Sequence, residues 1–316
     1  MILKELKIGR LTIPVPIIQG GMAVRISTAP LAAAVANQGG VGVIAGTGMT
    51  IEELINEIRL ARSMTKGIIG VNVLFAVRNF SELVKTAMAE GIDLLISGAG
   101  FSRDMFSWGK EYDIPVVPIV SSAKLASMAQ KLGAAAVVVE GKEAGGHLGT
   151  DRPMREILPE VCKEVDIPVI GAGGVITGRD IADVIKLGAS GVQMGTRFAA
   201  SIESNASKEM KELYVKAAKE DVVHVKSPVG LPGQCIRNEF YNMIEKGEAE
   251  DNSNCIACLK RCSHNFCIMD ALINACDNGN EKKALMFAGE FVYKIKDILP
   301  VRQIFENLLK EAAEVD

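Results

Sequence analysis

Short apolar runs rich in β-branched residues recur along about the first two hundred positions. Each is followed by a stretch whose apolar residues return at three- and four-residue spacing. The runs at 15–19, 41–45, 68–74, 94–97, 116–120, 135–139, 168–170 and 191–193 are continuous rather than alternating, the pattern of strands buried on both faces. The stretches between them predict helices over 29–37, 51–62, 80–90, 121–132, 154–165 and 179–187, with Leu83, Ala87 and Met88 as one example of a helical stripe. Gly39-Gly40, Gly91, Gly133 and Gly188 each follow a helical run, where a left-handed residue ends a helix without a Cβ penalty. Helices placed between buried strands are crossover connections and imply a parallel sheet.

Eight such units predict an α/β chain folded as a (β/α)8 TIM barrel, for which about 200 residues suffice. A doubly wound open sheet is the competing arrangement. The glycines argue for the barrel, because they follow the first strand (Gly20, Gly21), the second (Gly46, Gly48), the fourth (Gly98, Gly100), the sixth (Gly145, Gly146), the seventh (Gly171, Gly173, Gly174) and the eighth (Gly195). An open sheet concentrates its phosphate loop after one strand, whereas a barrel gathers all its loops around one mouth. The barrel is expected to occupy residues 1–226. Residues 227–316 are expected to form a mostly helical C-terminal extension that packs on it and carries a substrate-side loop and a four-cysteine loop. The last stretch, 284–313, alternates apolar and charged residues at helical spacing and offers a face for the barrel or for a homodimer.

Composition narrows the class. A chain of 316 residues that is 48% hydrophobic can bury a large core, and 31 glycines with only 5% aromatics suit short parallel strands packed against helices. Net charge is −3 with no basic run, which argues against a nucleic-acid partner. No apolar run reaches the roughly 18 residues of a membrane span, and the opening MILKELKIGRLTIPVP lacks the apolar core of a signal peptide. The expected setting is the cytoplasm, without a membrane.

The densest chemistry lies in VVVEGKEAGGHLGT, 137–150. Three valines end a buried strand, Glu140 sits where it stops, and the pair Gly145-Gly146 delivers His147, one of three histidines in the chain. Strand ends are where barrels gather ligands and chemistry. Two further loops read as a phosphate cup: GAGG, 171–174, with Gly173 and Gly174, and QMGTRF, 193–198, with Met194, Gly195 and Thr196. Glycine lets backbone approach an anion closely, and the loops after strands seven and eight are the common phosphate site of barrels.

Six motifs in order carry a family resemblance: IPVPIIQGGMA near the start, GVNV at 70–73, SGAG at 97–100, EAGGHLG at 143–149, PVIGAGGV at 168–175 and GVQMGTRF at 191–198. The chain resembles the nitronate monooxygenase family, which includes 2-nitropropane dioxygenase-like proteins and flavin-dependent enoyl-ACP reductases, over about residues 13–238. The resemblance implies FMN on a (β/α)8 barrel, with its phosphate at Gly173, Gly174, Gly195 and Thr196. The flavin ring would lie against Gly20, Gly21 and Met22, with Asn72 and Gln193 as polar contacts and Glu140 and Gly145 lining the pocket. It also implies His147 as the catalytic residue. Imidazole can exchange a proton near neutral pH without a large shift in its pKa, while the flavin exchanges a hydride at N5. Gly20-Gly21-Met22 replaces the Ala-Pro-Met turn usual in nitronate monooxygenases proper, which places the chain nearer the enoyl-ACP reductase branch. SPVGLPGQCIRNEF, 227–240, resembles a substrate-side loop of that branch. The implied substrate is a small or ACP- or CoA-linked acyl or enoyl thioester; the alternative is an alkyl nitronate oxidised with O2. No Rossmann fingerprint is present, so NAD(P)H as electron donor would have to use the same barrel mouth. His224 is read as a surface or loop residue.

Cys255, Cys258, Cys262 and Cys267 follow C-x2-C-x3-C-x4-C within thirteen residues. Four thiols at this spacing suit a [4Fe–4S] cluster or a zinc ion. Crowding on one loop, rather than division into two knuckles, favours the cluster. Cys276 competes with Cys267 as fourth ligand. The helix expected over 268–276 would separate them by roughly 13–14 Å at 1.5 Å per residue, so both cannot serve one cluster. A barrel of this family with four added cysteines resembles the FMN and [4Fe–4S] acyl-ACP dehydrogenase/isomerases of unsaturated fatty-acid biosynthesis. A non-catalytic barrel with a zinc-binding loop is the reading of another class.

Overall fold

The computed structural model describes residues 1–98, 100–249 and 255–315. Two short strands, β1 (Leu6–Ile8) and β2 (Leu11–Ile13), form an antiparallel hairpin ahead of the barrel. Eight strands then close into a parallel barrel: β3 (Ile17–Gln19), β4 (Val41–Ala45), β5 (Ile68–Leu74), β6 (Leu94–Gly98), β7 (Val116–Val120), β8 (Val137–Glu140), β10 (Val169–Ala172) and β11 (Gly191–Met194). Each feeds a helix: α1 (Ala29–Asn37), α2 (Ile51–Met64), α3 (Phe80–Ala89), α4 (Asp104–Glu111), α5 (Ala123–Leu132), α6 (Met154–Glu164), α7 (Gly178–Lys186) and the single turn α8 (Thr196–Ala199). The fold is therefore a (β/α)8 TIM barrel of the α/β class. A strand of two residues, β9 (Gly146–His147), interrupts the passage from β8 to α6.

Local chemistry sets these elements. Helix α2 begins at a capping box, in which the Thr50 hydroxyl accepts from the Glu53 N–H and the Glu53 carboxylate accepts from the Thr50 N–H. Its buried residues Leu54, Ile58 and Ala61 recur at helical spacing. Helix α5 stops at Gly133, whose φ of +100° is the left-handed conformation expected there. In the strands, alternate residues face opposite ways. Val137 and Val139 pack outward against helices, while Val138 points inward with Ile18, Val41, Ile96 and Ile170. Leu6, Ile8, Leu11 and Ile13 of the hairpin join that inner cluster and plug the barrel at its N-terminal end. The other end stays open.

Beyond the barrel come α9 (Lys208–Lys216), the hairpin β12 (Val222–Lys226) and β13 (Pro232–Ile236), α10 (Glu239–Lys246), α11 (Ile268–Asp277) and α12 (Val301–Ala313). Helix α12 buries Val301, Ile304, Phe305 and Leu308, and Phe305 packs on Phe198 of α8 with ring centroids 5.8 Å apart. Helix α12 thus packs on α8, while of the stretch 284–313 only 301–313 forms α-helix. Among the described residues, no helix is long and apolar enough to cross a membrane.

Candidate active site

Strand parity builds the site. Carried two residues past Val138, the inward face of β8 presents Glu140; the same parity presents Asn72 on β5, Gln193 on β11 and Gly20 just past β3. All four line a cavity of about 220 Å³ at the C-terminal mouth of the barrel. Every strand end contributes to it, through Gly20, Thr47, Leu74, Gly98, Ile119, Glu140, Ala172 and Met194. The remaining sequence-predicted residues Gly21, Met22, Gly145, His147, Gly173, Gly174, Gly195 and Thr196 line the same cavity. Of the SGAG motif, Ala99 lies outside the described residues.

One side of this cavity has the features of a flavin cradle. Asn72 donates from Nδ2 to the Gly21 carbonyl at 3.0 Å, which leaves its buried Oδ1 without a partner. The buried Gln193 Oε1 is likewise unpartnered. Two orphaned acceptors facing one cavity await donors from a ligand, because buried polar groups are otherwise paired. A Cβ on Gly21 would collide with Asn72, and one on Gly174, at φ +70°, would lie 2.8 Å from the Phe291 ring. The Thr196 hydroxyl accepts from the Gly289 N–H at 3.0 Å and keeps its own proton to donate. These residues fit an FMN: the glycine backbones admit close approach, and the unpartnered amide oxygens and the Thr196 hydroxyl offer it hydrogen bonds.

His147 is mounted more firmly than a loop reading suggests. Strand β9 pairs antiparallel with β13, His147 opposite Gly233 and Gly146 opposite Gln234, and the Leu148 N–H donates to the Pro232 carbonyl at 2.8 Å. The His147 Nε2 lies 2.7 Å from the Ser227 hydroxyl, and the Phe287 ring meets the imidazole edge to face at 5.1 Å between centroids. Tyr214 fixes Phe287 by donating to its carbonyl at 2.6 Å. Burial pushes the imidazole pKa down to about 4, because the charged form loses its hydration. The expectation of a near-normal histidine is therefore corrected: this imidazole is neutral at physiological pH. Burial acts the opposite way on Glu140, raising its carboxyl to about 7. Ser227 and Phe287 are missing from the sequence-derived site residues, although Ser227 opens the segment read as a substrate-side loop. His224 is exposed, as expected, but sits on β12 rather than on a loop, 2.9 Å from Gln234 Oε1.

The four cysteines of the C-x2-C-x3-C-x4-C segment are near neighbours. Burial raises the Cys258 thiol, and the proximity of Cys267, Cys255 and Cys262 adds to the shift. Among the described residues, however, no three His, Cys, Asp or Glu side chains converge closely enough to hold a metal ion. Cys276 lies apart: it ends the intact helix α11 and is buried, with its Sγ 3.4 Å from the Arg25 carbonyl and 3.1 Å from that of Asn205.

Comparison with known proteins agrees with the barrel and its motifs. The family model described as nitronate monooxygenase matches residues 4–93 and 76–311. The structure of FabK from Thermotoga maritima superposes with a TM-score of 0.85 at 35% identity, over 96% of this chain and 94% of that one. An octahydro-indene carboxyl-CoA dehydrogenase of Mycobacterium tuberculosis is 32% identical over 73% of this chain, which spans 66% of that relative's length. A probable nitronate monooxygenase of Staphylococcus aureus is 31% identical over 76% of this chain and 80% of its own.

Proposed function

The chain belongs to the nitronate monooxygenase family, and on that premise we propose that it is an FMN-dependent oxidoreductase acting on an acyl or enoyl thioester. The observation that carries the reading is His147, held on a strand and hydrogen-bonded to Ser227, facing the same cavity as the orphaned amide oxygens of Asn72 and Gln193. Bound FMN supplies hydride exchange at N5. The glycine backbones at Gly20 and Gly21 let a flat ring approach, Asn72 and Gln193 accept its polar edge, and Gly173, Gly174, Gly195 and Thr196 hold the phosphate. His147 is the acid–base residue. Because burial keeps it uncharged, it is the base that accepts the proton of the substrate carbon when hydrogen is removed, and in the reverse direction the imidazolium returns that proton, while Ser227 holds the ring through Nε2. Phe287 covers the imidazole and keeps water from it. Glu140, with a carboxyl raised to about 7, is a second group able to hold a proton at the floor of the cavity.

The thioester is favoured over other substrates by the Gly20-Gly21-Met22 turn, by the likeness to FabK and by the CoA-linked substrate in the name of the mycobacterial relative. NAD(P)H is the expected donor at the same mouth. A second reading, oxidation of alkyl nitronates with O2, is favoured by the name of the staphylococcal relative. His147→Ala tests both: FMN should be retained while turnover falls about 10²–10⁴-fold. Wild-type rates on thioesters and nitronates alike would remove His147 from the mechanism.

The chemistry of the four thiols suits a [4Fe–4S] cluster on Cys255, Cys258, Cys262 and Cys267, but they are not gathered as a ligand set, so no step is routed through a cluster. A cytoplasmic setting, which keeps thiols reduced, and the division of the chain after residue 226 belong to the same reading.

A further inference from the structure

The cysteine segment has a second feature that its metal-ligand spacing does not explain. Leu259 follows Cys258 in a stretch with exposed residues on either side: Ile256 is 82% exposed and Lys260 is exposed, while Leu259 is 4% exposed and lines the active-site cavity. It is pinned there by backbone. Leu259 bridges antiparallel to Val77, the Arg78 N–H donates to the Cys258 carbonyl at 3.0 Å, and the Lys260 N–H donates to the Ala76 carbonyl at 2.9 Å. Arg78 Nε adds a bond to the Leu259 carbonyl at 2.9 Å. A few residues on, the Ser263 N–H donates to the Pro228 carbonyl at 3.0 Å and Asn265 donates to that of Lys226 at 3.1 Å. The segment therefore ties the loop after β5 to the turn between β12 and β13, the turn that carries Ser227 and so holds His147. Helix α11 continues the same surface, with Ile268, Met269 and Leu272 on one face, all lining the cavity. Val229, two residues beyond Ser227, completes it.

We propose that Leu259, with Ile268, Met269 and Leu272, is the wall on which the apolar tail of the substrate lies, so that the cysteine segment determines chain-length preference. The inference rests on the cavity being the substrate site of the proposed oxidoreductase. His147 handles the reacting end, and the wall takes the hydrocarbon. A methylene transferred from water onto such a surface strengthens binding about four-fold, so affinity should climb by up to that factor per added carbon until the wall is filled.

The test uses FMN-loaded enzyme and straight-chain acyl thioesters of rising length, with binding read from the flavin absorbance and KM separated from kcat. Leu259→Asp should flatten the length dependence of binding and KM. Ile256→Asp, on the exposed part of the same segment, should keep the wild-type slope. A wild-type slope in Leu259→Asp, or a flat one in Ile256→Asp, would overturn the wall. If Leu259→Asp loses its flavin, Leu259→Ala decides: the added space should move the optimum to a longer or branched chain, and an unmoved optimum sinks the proposal. The same series run with alkyl nitronates separates the two readings. A slope on nitronates with none on thioesters refutes the thioester and keeps the wall; no slope on either refutes the wall.

Discussion

Glu140 offers a quantitative check on how the barrel floor is built. Its carboxyl is raised from 4.5 to about 7 by burial, so between those pH values the folded protein keeps a proton that the unfolded chain releases. Stability must then fall as pH rises through that window. The contribution is intact below the unfolded pKa and is lost by the time pH passes the folded one. At 1.36 kcal/mol for each unit of pKa difference, the charged carboxylate costs up to about 3 kcal/mol at pH 8. Glu140→Gln keeps the shape and removes the ionisation. Flavin-free wild type and variant should therefore be nearly equal in stability at pH 4.5, and the variant should be more stable by about 3 kcal/mol at pH 8, roughly 5 °C in Tm for a chain of this size. His147 is perturbed in the opposite sense, its pKa lowered to about 4, so its contribution is present above pH 6.5 and lost as pH falls towards 4. Both proteins share that slope, and the difference between them isolates Glu140. Urea unfolding at several pH values measures it. A variant stabilised equally at every pH, or destabilised at pH 8, would show that the carboxyl is not kept neutral by burial.

Further outcomes follow from the same geometry. Gly174→Asp should abolish FMN retention, since its Cβ would meet the Phe291 ring and its carboxylate would repel a phosphate; stoichiometric flavin in the purified variant would refute the phosphate assignment. Ser227→Ala should lower kcat about ten-fold with KM nearly unchanged, because one hydrogen bond that holds the imidazole is lost, and unaltered steady-state rates would reduce Ser227 to a packing residue. A cluster on the four thiols requires that protein purified without oxygen contain iron and sulfide, lose both in Cys258→Ala and keep both in Cys276→Ser, whose sulfur already faces the Arg25 and Asn205 carbonyls. One zinc and no iron would overturn the cluster, and iron lost only in the Cys276 variant would reassign the fourth ligand.

The barrel was legible because its signals are local. Continuous β-branched runs, helical stripes such as Leu83, Ala87 and Met88, and glycine stops such as Gly133 each act within a few residues, and three strands, at 41–45, 68–74 and 116–120, have the predicted bounds. Helix α4 is hard to read from sequence because it is only eight residues long, with Trp108 half-buried between Ser107 and Gly109. The plug β1–β2 is equally hard to read, because its three-residue strands alternate buried and exposed positions rather than run continuously.

The sequence by itself determined which residues meet at the mouth. Strand order and parity suffice to bring Gly20, Asn72, Glu140 and Gln193 to one face, and the six motifs name the rest. Only the tertiary structure decided how the site works, since contacts between distant segments carry no local periodicity. Ser227 reaches His147 across 80 positions of chain, and Phe287 reaches it across 140. These contacts hold the half-buried imidazole in the barrel mouth, where loss of hydration lowers its pKa. Leu259 likewise looks, in sequence, like filler between cysteines. Its place in the cavity is set by backbone pairing with Val77, a long-range contact that spacing alone does not encode.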